Sequence, residues 1–124
     1  MLNQFWSPDL DNAQNKKFVA GVKKKNGRYP SFYAAQSYDT IFLIKSAVES
    51  VNGDLSNIDG MRSAMEKANF PSVRGEFSYG NNHFPIQNFY SREVVSDADG
   101  VWTTAIRKVV LKNHQDTYAT QCKM

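Results

Sequence analysis

The chain has 124 residues, with 15 Lys and Arg against 12 Asp and Glu for a formal charge of +3, and 41% of it is hydrophobic. Those values describe one globular domain, or part of one, and exclude a disordered chain. No apolar run exceeds four residues, against the about 20 that a membrane-spanning helix needs. The charge is spread evenly, +2 over residues 1–70 and +1 over 71–124, without the one-sided basic face of a nucleic-acid binder.

The first residues, Met1 to Trp6, lack a basic region followed by a long apolar stretch, so the chain as written is expected to carry no signal peptide. Ser7 to Asp11 reads as a loop, and Asp11 or Asn12 can cap a helix over about 12–26. Phe18, Val19 and Val22 form its apolar stripe, Lys23-Lys24-Lys25 its solvated face, and Gly27 its stop. Tyr29-Pro30 blocks further helix, and Ser31 is a natural cap for the next, over about 32–52. Ala34, Tyr38, Ile41, Ile44, Val48 and Val51 recur there at helical spacing. Phe42, Leu43 and Ala47 widen that surface, which predicts burial on more than one side. Ser56 to Asp59 resembles a capping box before a third helix over about 57–69.

The second half changes character. Val73, Phe77 and Tyr79 alternate on one face, predicting a strand over about 73–79. Strands over about 88–96 and 101–111 are rich in β-branched and aromatic residues and flank Asp97-Ala98-Asp99-Gly100, a hairpin signal. A short helix is expected over about 113–119. Three helices without an intervening strand, then mostly strands, suit part of a larger α/β protein better than an independent domain, which would alternate the two.

The residues carry no convincing catalytic chemistry. No nucleophile–base pair or paired carboxylates stand out, and His83 and His114 lack the companions a metal site requires. Cys122 is the single cysteine. It has no internal disulfide partner, so it is a free thiol in a reducing compartment and points to a partner elsewhere in an exported protein. Aromatic residues make up 13% of the chain. Phe32 and Tyr33 open a helix, where unpaired N–H groups attract carboxylates and rings can stack on a flat ligand. Phe84 to Gln87 suits a pocket wall with one polar tip. The candidate ligand-binding residues are therefore Phe32, Tyr33, Gln36, Phe84 and Gln87.

The segment Tyr29 to Asp39 resembles the periplasmic substrate-binding proteins of ABC transporters, of the branched-chain amino acid (Leu/Ile/Val-binding) family. Asn12 to Phe18, Val73-Arg74-Gly75 through Phe77, Asn82 to Asn88, Arg92 to Val95 and Tyr118 to Met124 extend the resemblance over nearly the whole chain. Phe84-Pro85-Ile86-Gln87 is most similar to members that import aromatic acids. The resemblance implies an α/β fold, here the C-terminal fragment of a two-lobed type I periplasmic binding protein. It implies a binding protein rather than an enzyme, with no cofactor. A small amino acid or aromatic carboxylate would sit between the lobes in the periplasm, for delivery to a membrane permease. A fragment of this kind is expected to pair as a homodimer or exchange segments with a second copy. It is also expected to lack the N-terminal part that supplies most ligand contacts. The alternative is a free-standing interaction module that dimerises through exposed strands.

Overall fold

Local capping chemistry sets the helices. The computed structural model describes residues 2–122. Asn12 caps α1 (Ala13–Asn26), its side chain accepting from Asn15 N at 2.8 Å. Gly27 ends it at φ 67°, donating to Lys23 O; this is the left-handed stop that glycine adopts without strain. Ser31 caps α2 (Phe32–Ser50), accepting from Ala34 N at 3.3 Å. In α3 (Ile58–Lys67) the cap is Asn57, which accepts from Gly60 N at 3.0 Å. Ser56 does not form the expected capping box, because its N–H and hydroxyl are held by Asp54.

The sheet is antiparallel and centred on one long strand. β1 (Leu2–Gln4) pairs with β3 (Pro85–Ser96), Asn3 opposite Ser91. β2 (Ser78–Tyr79) pairs with the start of β3. β4 (Trp102–His114) returns along β3 from Ser96–Trp102 to Gln87–His114, with bulges near Phe89 and Arg92. A short 3-10 turn, Ala119–Gln121, follows.

Four expectations need correction. The strand over 73–79 is reduced to Ser78–Tyr79. Its first residues turn inward instead: Val73 N donates to Asp39, Arg74 N to Ser72 Oγ, and Gly75 sits at φ 83°. The helix over 113–119 does not form. β4 continues to His114, Asn113 takes φ 47°, and helical turns begin only at Ala119. Burial of α2 on more than one side is also not found, since Ala35, Asp39 and Ala47 face inward while Ile41 and Ile44 are exposed. β3 starts at Pro85, three residues earlier than 88, because a proline is tolerated as the first residue of a strand.

The core gathers Trp6, Phe18, Ala35 and Val73, flanked by Phe5, Leu10, Val22, Phe32 and Tyr38. α1 is fastened to the hairpin by its basic end. Lys23 Nζ reaches Asp97 at 2.6 Å, and Tyr29 OH donates to the same carboxylate at 2.9 Å. Val101 N and Asp99 N donate to its other oxygen.

The ammonium of Lys23, with these added donors, holds the Asp97 carboxyl down at about 2, and Lys23 is correspondingly raised. A carboxyl depressed in the folded state stabilises above its unfolded pKa of about 3.9, and that contribution disappears as pH falls through the folded value. The gap in urea midpoint between wild type and Asp97→Asn should therefore be present at pH 6 and close between pH 4 and 2. A gap unchanged at pH 2 would show that the latch is not ionic.

Candidate functional site

Phe32 is the first residue of α2, positioned by Pro30 and the Ser31 cap. Its ring lies 6.3 Å edge-on from Phe5 and 4.0 Å from Tyr33. Phe32 lines a cleft of about 360 Å³ together with Trp6, Tyr29, Arg92, Trp102 and Thr103. Trp6 is buried behind it, and Trp102 is 70% exposed at the rim. The cleft thus lies where the start of α2 meets the β3–β4 hairpin, with aromatic walls and one guanidinium.

The other four candidates lie outside this cleft. Tyr33 and Gln36 are exposed on the first turns of α2. Phe84 is exposed in the turn before β3, its N–H donating to Asn82 Oδ1 and its carbonyl accepting from Gly80 N. Gln87 is buried, and its Oε1 accepts from Arg74 Nη1 at 3.1 Å. A larger cleft of about 470 Å³, between Asn12, Phe70 and Phe77, is lined by none of the five.

Gln87 and Phe32 are joined by a cluster that spacing alone does not reveal. Asp39, 2% exposed, accepts from Ser72 Oγ at 2.5 Å, Val73 N at 2.9 Å and Arg74 Nε at 3.1 Å. The Arg74 guanidinium lies 4.1 Å above the Phe77 ring and 5.5 Å from that of Phe5, which in turn meets Phe32. Both oxygens of Asp39 and two nitrogens of Arg74, Nε and Nη1, thereby find partners, as the low-dielectric interior favours. The signal available in the sequence was an aspartate at the buried spacing of α2, one turn after Ala35.

Of the titratable groups set aside earlier, His83 Nε2 lies 3.5 Å from Glu66, and the His114 ring stands edge-on to Phe89. Cys122 is a half-buried free thiol among the described residues.

A family model described as periplasmic binding protein matches residues 1–100. Among solved structures, the solute-binding protein of an ABC transporter from R. palustris in complex with benzoate is 31% identical, with a TM-score of 0.85 over 98% of this chain and 32% of that one. A second, from Rhodopseudomonas palustris BisB5 in complex with 3,4-dihydroxybenzoic acid, is 28% identical, with a TM-score of 0.70 over 90% of this chain and 31% of that one. A leucine-binding protein from Thermotoga maritima shares the fold at 20% identity, with a TM-score of 0.67 over 86% of this chain and 29% of that one. The chain therefore spans about a third of the length of these structures. No curated protein sequence matches it.

Proposed function

We propose, from the premise that this chain belongs to the periplasmic binding protein family, that it is the C-terminal part of the substrate-binding component of an ABC importer. Its ligand is a small aromatic carboxylate, held between two lobes in the periplasm and passed to a membrane permease. The observation that carries this reading is the aromatic cleft at the start of α2, in a chain whose fold matches a benzoate-binding protein along nearly its whole length. A flat ring buried against such walls gains both area and favourable ring geometry.

In this reading Phe32 offers the ring that lines the cleft, while Tyr33, Gln36 and Phe84, which lie outside it, are not ligand contacts. Gln87 acts through Arg74, which it holds in place. The exposed Leu111 of the hairpin faces further polypeptide of the same protein. The role is binding and release, and no reaction is assigned.

A chimera tests it. This chain should replace the matching third of the R. palustris benzoate-binding protein, with circular dichroism to verify folding. Calorimetry should then show retained binding of benzoate or a hydroxybenzoate and none of leucine. Phe32→Ala in the chimera should weaken binding by about 1–3 kcal/mol. A folded chimera that binds leucine and ignores aromatic acids would overturn the reading.

A further inference from the structure

The cleft beside Phe32 contains a guanidinium that forms no ion pair among the described residues. Arg92 is 8% exposed. Its Nη1 donates to Trp6 O at 3.1 Å and to Thr104 Oγ1 at 3.3 Å, but both acceptors are neutral. Its Nε is buried without an acceptor among the described residues, as is Thr103 Oγ1, and both residues line the cleft. Asp9 is near enough to act on the guanidinium. Its oxygens, however, bond Ser7 Oγ at 2.6 Å and Ile106 N at 2.8 Å, and no hydrogen bond or ion pair joins them to Arg92 among the described residues. Burial pushes the Arg92 pKa down from its ordinary value, the mark of a cation held away from water.

An arginine in this setting contrasts with Arg74, which is equally buried but paired with Asp39. Burying a guanidinium without an anion is costly, and leaving its donors unmet adds to the cost. The same cleft is lined by Ser31 and Phe32, the start of α2. A helix start presents unpaired N–H groups and the positive end of its dipole. Two independent features that favour an anion thus open on one space, walled by Phe32 and Trp102.

We infer that Arg92 is the carboxylate-binding residue of this cleft, and that the cleft takes an aromatic carboxylate with its acid group toward Arg92 and the start of α2. The ring lies between Phe32 and Trp102. A planar carboxylate suits a guanidinium better than any other partner, since the two can share parallel hydrogen bonds. The inference deepens the proposed function and rests on it for the choice of an aromatic acid.

The test titrates sodium benzoate, and separately neutral benzamide, into the isotopically labelled 124-residue chain. NMR follows the Arg92 Nε–H and the indole N–H of Trp102. Benzoate should move both signals together, and benzamide should bind at least ten-fold more weakly. Arg92→Gln should abolish the benzoate response at Trp102, while Arg92→Lys should retain part of it. Should Arg92→Gln unfold through loss of the bond to Trp6 O, the two ligands on the unaltered chain still decide. Equal responses to benzoate and benzamide, or an Arg92 signal that does not move, would overturn the inference. A chimera that binds benzoate equally well with Arg92→Gln would defeat this inference and leave the proposed function standing. A chimera that ignores aromatic acids, beside an Arg92 signal that responds to benzoate, would do the reverse.

Discussion

Asp39→Ala should destabilise the chain by about 3–5 kcal/mol, the effect of removing one member of a buried ion pair. Three donors converge on the Asp39 carboxylate: Ser72 Oγ, Val73 N and Arg74 Nε. Alanine leaves all three unmet and leaves the Arg74 charge buried with only Gln87 and two aromatic faces to answer it. Since a domain is stable by only about 5–15 kcal/mol in all, the variant should unfold at low urea. Asp39→Asn should fall between, because an amide can accept one of these bonds but turns a donor toward the others. The decisive comparison is the double variant Asp39→Ala with Arg74→Met. Removing the cation as well should recover part of the loss, because most of the penalty comes from the orphaned charge rather than from the missing attraction. If Asp39→Ala costs less than about 1 kcal/mol in urea titration, the cluster does not fasten α2 to the 72–74 turn as described.

This cluster also shows where the sequence could be read and where it could not. Helix ends at Asn12, Gly27 and Ser31 were legible because capping is settled within a few residues. So was the hairpin turn, where Asp97 N donates to Val101 O and Gly100 takes φ 78°. The strand over 73–79 was misread because its alternation was real but the Val73 N–H was claimed by a side chain more than thirty positions away and the Arg74 N–H by Ser72. The end of β4 was misread for a related reason: pairing of His114 with Gln87 outweighed a local helical preference. β1 carries too few residues to show a period and exists through pairing with β3. The candidate site divides in the same way. Phe32 was legible from its place after a cap. Arg92, beside Glu93 in a strand without strict alternation, gave no local sign that its guanidinium would be buried against Trp6.

Asn15→Ala is expected to be nearly as damaging as Asp39→Ala, and it acts on the loop that brings Trp6 into the cleft beside Phe32. Asn15 is fully buried, and its Oδ1 accepts from Trp6 Nε1 at 2.8 Å. Its Nδ2 donates to Pro8 O and Leu10 O, both at 3.0 Å, with Ser7 O at 3.4 Å. One side chain on α1 thus closes the loop over residues 6–10 and fixes the indole. Truncation strands one donor and the carbonyls, at about 1–3 kcal/mol for each buried group left unmet. The sum should reach about 3 kcal/mol or more in denaturant titration. Trp6→Phe removes the indole donor, so the double variant with Asn15→Ala should cost measurably less than the two single changes added together. Strict additivity would mean that the Trp6–Asn15 bond contributes nothing. The loop matters beyond stability because Trp6 O is also the acceptor that holds Arg92 Nη1. Loosening Asn15 should therefore move Trp6 toward solvent, seen as a red shift of its fluorescence against Trp102→Phe as background, and free Arg92 to turn. The Arg92 Nε–H signal should broaden in the same variant. If the fluorescence and that signal stay fixed while stability drops, Asn15 supports the core alone and the cleft takes its shape from elsewhere.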